Sequence, residues 1–134
     1  NQWKAEHRVR LFGEYDGYGP GEHTRDFIYV KDVVKVNFYF WDHPEISGIF
    51  NCGTGHAHQF NTLAKGVLKH FGSGELEYVP FPEVLKGKYQ SFTQADTANL
   101  LTAGYDGGFT PIEDAIAEYC ELLDKTGGYY VYER

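Results

Sequence analysis

Four residues of this chain carry side chains suited to an anion and a flat ring: Arg25, Lys86, Lys88 and Tyr89. Arginine presents a planar fork of N–H donors that matches phosphate oxygens, and lysine adds a point charge. A tyrosine can stack on a ring or hydrogen-bond to a phosphate. The last three fall in LKGKYQSF, a non-helical stretch between a proline turn and a helix. A plain surface cation cluster is the alternative. The chain as a whole carries a net charge of −7. That argues against nonspecific nucleic-acid or anionic-membrane binding, which needs a basic surface. A small cationic cluster still suits a phosphorylated small molecule.

Three other groups invite chemistry less well. NCGTG (Asn51–Gly55) places glycines after an apolar run and before a helical pattern, as a phosphate-binding turn does. A dinucleotide fingerprint would put a third glycine where His58 stands, and no Walker lysine follows. The plain reading is a tight turn that needs positive φ at glycine. His56 and His58, with Cys52 nearby, could ligate a metal, but no second Cys or His pair completes the set. Loop histidines without a role are the plainer reading. Glu14, Asp16 and Glu22 crowd one loop, and nothing fixes a pair of them across a cleft. A solvated acidic loop is expected there, and no Ser–His–Asp or Cys–His arrangement can be picked out.

These residues need a scaffold. At 134 residues the chain has the length of one domain and can bury roughly two-thirds of its unfolded surface. Hydrophobic residues make up 42% and aromatics 17%, too many for a disordered chain. Cys52 and Cys120 make no disulfide framework, and no signal peptide or long apolar run stands out. The expectation is free thiols in a reducing cytoplasm and no membrane partner. The chain has no methionine and starts at Asn1, so it reads as a fragment or processed product. NQWKAEHRVRLF then reads as the tail of a helix running into a strand.

The pattern alternates strand and helix, which predicts an α/β layer structure with some parallel pairing. Strands are expected at Arg8–Phe12, Asp26–Val30, Ser47–Cys52 and Glu75–Val79, with a loop over Gly13–Glu22. Asp32 is placed to cap a helix on which Val33, Val36, Asn37, Phe40 and Trp41 fall near one face. Phe60, Leu63, Ala64, Val67, Leu68 and Phe71 recur at helical spacing, and Gly72–Gly74 stops that helix. PFPE turns the chain, and Ala95–Ala103 forms a short helix closed by Gly104. Thr110 as cap, Pro111 and Glu113 in a capping box start a last helix, whose apolar face is Ile112, Ala115, Ile116, Tyr119 and Leu123. The tail TGGYYVYER permits a turn or an added edge strand.

The stretches LFGEYDGYGPGEHTRDFIYVKDVVKVN, SGIFNCGTG, EYVPFPEVLKGKYQSFTQAD and AGYDGGFTPIEDAIAEY together resemble one family. They are similar to the C-terminal part of ADP-L-glycero-D-manno-heptose 6-epimerase, an extended short-chain dehydrogenase/reductase of lipopolysaccharide inner-core synthesis. The resemblance runs from about Arg10 to about Tyr119. The RDF-x-Tyr-Val-x-Asp-Val piece is shared widely among extended sugar-nucleotide enzymes. The PFP…LKGKYQ-x-FTQAD piece is more specific to the heptose epimerase.

The resemblance implies a fold: the last strand and helix of a Rossmann-type sheet followed by a small α/β substrate domain. The whole of 1–134 would be a sugar-nucleotide-binding portion. Roughly residues 31–60 would pack on a dinucleotide-binding domain absent from this chain. The family inverts C6″ of the heptose by removing and returning a hydride on NADP, and it forms closed homo-oligomers. Residue by residue, its substrate-binding positions match Phe12, Gly13, Glu14, Tyr15, Arg25 and Tyr89. Arg25 would face the diphosphate. Tyr89 and the Phe12–Tyr15 loop would face the nucleotide of an ADP-sugar. Asp26 is expected to be structural, fixing the start of its strand. The family's glycine-rich cofactor turn, catalytic tyrosine and lysines have no match here, so no catalytic or NADP-binding residue is assigned. The expected parent is therefore the isomerase, with this chain inactive alone. The alternatives are a non-catalytic nucleotide-sugar-binding module and a part of another nucleotide-sugar epimerase or dehydratase.

Overall fold

The computed structural model of the chain describes residues 1–127. The turn-and-strand reading of the last residues lies outside them. A short helix α1 (Gln2–Glu6) leads into strand β1 (Arg8–Phe12), as the opening sequence predicts. β1 pairs in parallel with β4 (Glu75–Val79), in register from Arg8↔Glu75 to Phe12↔Val79. A parallel pair needs a crossover. Here it includes helix α3 (Phe60–Phe71), which packs against both strands. Gly72, at φ 67°, ends α3 in the left-handed region that glycine adopts freely. On the outer side of the pair, Glu77 accepts from Arg8 at 3.2 Å and from Arg10 at 2.9 Å. Arg10 also pairs with Glu6. Both arginines are thus spent on the scaffold.

Strand β2 is only Thr24–Arg25, paired antiparallel with β3 (His58–Gln59). The expected strand over Asp26–Val30 does not form. Its ladder partner runs out after the Arg25↔His58 pair, and helix α2 (Val30–Asp42) already starts at Val30. Ser47–Cys52, expected as a buried strand, has no ladder partner among the described residues. Ile49 within it is 90% exposed.

Asp32 does not cap its own helix. It sits in the first turn of α2, fully buried, and its carboxylate faces away to Thr110. It accepts from the Thr110 amide at 2.7 Å, the Thr110 hydroxyl at 3.0 Å and Lys35 Nζ at 2.7 Å. That contact also explains why the predicted capping box is absent. Thr110 is spent on Asp32, and helix α5 (Ile112–Lys125) starts behind Pro111 with no side-chain cap. The core face of α2 carries Val36, with Tyr39 and Phe40 packing against Leu100 and Tyr105. Leu100 belongs to helix α4 (Ala98–Thr102), which is shorter than the expected Ala95–Ala103. Gly104 follows α4 at φ 95°.

Two helix faces differ from expectation. Trp41 is exposed, and with Val30, Val34 and Phe38 it forms a second apolar stripe on the outer side of α2. On α5, Tyr119 is exposed and Cys120 takes the buried position beside Ile112. α5 packs on α3, where a side chain at Gly66 would collide with Ile116 at 2.9 Å. Both cysteines are free, Cys52 at the surface and Cys120 buried.

Candidate functional site

The loop after β1 and the segment after β4 meet because their strands are neighbours. The Gly13 amide donates to the Val79 carbonyl at 2.7 Å, and a Cβ at Gly13 would press on that oxygen at 3.1 Å. Tyr15 stacks on Phe81 at 4.0 Å, and its hydroxyl oxygen accepts from the Gly87 amide at 2.6 Å. Ser91 donates to the Asp16 carboxylate at 2.7 Å. These contacts pin Gly13–Glu22 to the segment carrying Tyr89. Phe12 lies edge-on to Phe81 at 5.3 Å and to Tyr89 at 6.2 Å. The result is an aromatic wall of Phe12, Tyr15, Phe81 and Tyr89.

Arg25 closes one side of it. Its guanidinium carbon stands 4.8 Å from the Tyr89 ring centre and 5.8 Å from that of Phe60. A cation over aromatic faces at such distances is attracted by the ring quadrupoles. Nη1 donates to the Thr24 carbonyl at 2.7 Å, and among the described residues Arg25 makes no ion pair. Most of the fork is therefore left for an external acceptor. Phe60 and Tyr89, with Phe12, Leu11, Gly21, His23 and Arg10, line a cavity of about 210 Å³.

The structure brings together Phe12, Tyr15, Arg25 and Tyr89. Gly13 supports the wall through its backbone, and Glu14 is exposed in the loop beside Tyr15. Lys86 bonds to Glu83 at 2.6 Å, and Lys88 is exposed. The cationic set thus reduces to Arg25. Sequence reasoning missed Phe81 and His23. Phe81 stood only as part of the PFPE turn, and His23 only within the first stretch that carries the resemblance. The signal for both was the density of aromatic residues at the two ends of parallel strands.

The NCGTG turn is occupied by the protein itself. Asp26 Oδ1 accepts from the Thr54 amide at 2.9 Å and the Thr54 hydroxyl at 2.5 Å. Asp26 Oδ2 accepts from the Gly55 amide at 2.9 Å and the Ala95 amide at 3.1 Å. A turn whose amides already point at a carboxylate does not fit a pyrophosphate. Gly53 is required here, because a Cβ would lie 2.4 Å from Ala95 Cβ. Burial works to raise the Asp26 pKa, and the donors from Thr54, Ala95 and Gly55 outweigh it, leaving the carboxyl below its ordinary range. His56 and His58 line a second, more open cavity with Phe27, Gln94 and Glu113. Among the described residues no group of three metal-ligating side chains assembles.

Residues 2–53 match the model of the NAD dependent epimerase/dehydratase family. Solved structures agree over more of the chain. The ADP-L-glycero-D-manno-heptose-6-epimerase of Helicobacter pylori superposes with a TM-score of 0.72 at 26% identity, covering 92% of this chain and 35% of that one. The described chain has the fold of part of an extended short-chain dehydrogenase/reductase epimerase. The UDP-glucose 4-epimerase of Thermotoga maritima, solved with UDP-glucose, gives a TM-score of 0.68 at 27% identity, covering 89% of this chain and 35% of that one. The UDP-glucose 4-epimerase of Bifidobacterium longum, solved in complex with NAD+ and UDP, gives 0.71 at 24% identity, covering 90% and 36%. The chain thus spans about a third of the length of these epimerase structures. No helix among the described residues is long and apolar enough to cross a membrane.

The Tyr15 contact makes a first prediction. Tyr15→Phe keeps the stack on Phe81 and strands the Gly87 amide. It should lower stability by about 1 kcal/mol, the net worth of one hydrogen bond. Urea denaturation measures this, and an unchanged midpoint would mean water replaces the hydroxyl.

Proposed function

We propose that this chain is the sugar-nucleotide-holding portion of an ADP-L-glycero-D-manno-heptose 6-epimerase. The parent would interconvert ADP-D-glycero- and ADP-L-glycero-D-manno-heptose in the cytoplasm for lipopolysaccharide inner-core synthesis. Its NADP would be held by a dinucleotide-binding part outside this sequence. The observation that carries the reading is the convergence of Phe12, Tyr15, Arg25 and Tyr89 on one wall, with an arginine fork that no carboxylate among the described residues occupies. Arg25 takes the diphosphate, and the rings take the nucleotide. Glu14, exposed beside Tyr15, belongs to the same loop that faces the nucleotide. The NCGTG turn takes no part, since Asp26 fills it.

The outer stripe of α2 supports a second element of the reading. Val30, Val34, Phe38 and Trp41 recur on one side of a helix that already buries its other side, and Ile49 follows in the exposed segment. Residues of about 31–60 are the face that packs on the dinucleotide-binding part. The working enzyme is a homo-oligomer, and the chain alone has no group to carry the hydride.

A UDP-hexose 4-epimerase is the second reading. The specific observation behind it is the 27% identity to the Thermotoga enzyme, level with the 26% to the heptose epimerase. The test is turnover by the full gene product, supplied with ADP-heptose or with UDP-glucose and followed by NMR of the epimer formed. Epimerisation of ADP-heptose at C6″ is expected. Turnover of UDP-glucose alone rejects the first reading.

A further inference from the structure

An apolar groove of about 400 Å³ runs between α1, α3 and α5, walled by Trp3, Val9, Val67, Phe71, Tyr119 and Leu123. It shares no lining residue with the cavity beside Arg25. Its walls are fixed. Trp3 stacks on Phe71 at 3.8 Å, and its Nε1 donates to the Ser73 carbonyl at 2.8 Å. Lys4 Nζ donates to the Leu123 carbonyl at 3.2 Å and pairs with Asp124 at 3.2 Å, which ties α1 to the last turn of α5. The apolar face of α5 nevertheless stays half open: Ile112 and Cys120 are buried, and Tyr119 is 45% exposed. An apolar helix stripe ordinarily faces another element.

The chain that follows α5 has the composition and the reach to cover it. α5 ends at Lys125, and the Thr126 amide donates to the Leu122 carbonyl at 3.0 Å. Gly127 then stands at φ 72°, in the left-handed region that turns a chain off a helix axis. Seven residues remain, GYYVYER, of which three are tyrosine and one is valine. A tyrosine buries its ring and keeps its hydroxyl wet, which suits a groove open along one side. Seven extended residues reach up to about 23 Å. The wall of α5 from Tyr119 to Lys125 is only about 9 Å long at the helical rise. A segment directed into water would leave both its own rings and the open face of α5 uncovered.

We propose that residues 128–134 turn back at Gly127 and close this groove, with tyrosine rings against Trp3, Val67 and Tyr119. The segment then clasps α1 to α5 and completes the apolar face that α5 leaves open. The proposal does not depend on the nucleotide-sugar reading.

Photo-crosslinking on the full gene product tests it. Benzoylphenylalanine is placed at Tyr130 or at Tyr132, and the adducts are mapped by mass spectrometry. Adducts within one chain at Trp3, Val67, Phe71 or Tyr119 are expected. Adducts that join two copies only, that fall outside the groove, or that do not form overturn the proposal. Hydrogen exchange gives a second readout. The Ala5 amide donates to the Asn1 carbonyl at 3.0 Å and the His7 amide to the Trp3 carbonyl at 2.8 Å, so both report on α1. The double variant Tyr130→Ser, Tyr132→Ser should speed exchange of these two amides about tenfold and leave those of β4 unchanged. Equal protection of Ala5 and His7 in wild type and variant means that chain preceding Asn1 or a second copy fills the groove, and it overturns the clasp.

Discussion

Replacing Asp26 by alanine is expected to remove about 3–5 kcal/mol of folding stability, a large share of the roughly 5–15 kcal/mol a domain has. One carboxylate gathers four donors from two other segments, the Thr54–Gly55 turn and Ala95. Hydrogen bonds to a charged group contribute about 1.5–3 kcal/mol each, and four on one group do not add in full. Truncation also strands three backbone amides. Asp26→Asn should be little better, because its NH2 would face donors on one side. Urea denaturation of both variants measures the effect, and a loss below about 1 kcal/mol would mean that water takes over the clasp.

The same carboxyl makes stability acid-sensitive. In the folded chain Asp26 and Asp32 both titrate below their ordinary range. Burial opposes this in each, and it is outweighed by Thr54, Ala95 and Gly55 for one and by Lys35 and Thr110 for the other. Their stabilisation is fully present above the unfolded carboxylate pKa of about 3.9, and it is lost as pH falls through the lower native values. The slope of unfolding free energy against pH below about 5 should therefore shrink in Asp26→Asn.

How much of this was legible beforehand varied with the kind of contact. β1, α3 and β4 were readable to the residue, because local periodicity and glycine stops decide them. Asp26–Val30 and Ser47–Cys52 were not. Apolar composition suggests a strand, but a strand exists only where a neighbour supplies a ladder, and β3 supplies two residues. Asp32 and Thr110 each fit a capping pattern singly. Their 78-residue separation hid that they bond to each other. In the site, residue chemistry alone led to Arg25 and Tyr89, together with Lys86 and Lys88, and the resemblance added Phe12, Gly13, Glu14 and Tyr15. Lys86 dropped out because a nearer carboxylate, Glu83, holds it. His23 and Phe81 were missed because the density of aromatic residues does not say which rings meet, and theirs come from the loop after β1 and the segment after β4.

Arg25→Ala is expected to weaken binding of ADP to the full gene product by about 10- to 150-fold, the equivalent of roughly 1.5–3 kcal/mol for a charge-assisted contact. The fork is set before any ligand arrives. Tyr89 and Phe60 hold the guanidinium by their faces, and Thr24 takes one donor. Little side-chain entropy is then left to lose on binding, which favours the high end of that range. Arg25→Lys separates geometry from charge. It retains the cation but loses the paired donors and the flat contact with Tyr89, so it should recover less than half of the lost binding energy. The folding cost of Arg25→Ala should be modest, about 1–2 kcal/mol for a half-buried cation–π contact, so a circular-dichroism melt distinguishes lost affinity from lost structure. Calorimetry that finds ADP affinity unchanged in a folded Arg25→Ala protein would remove Arg25 from the site, and the diphosphate would then need another cation.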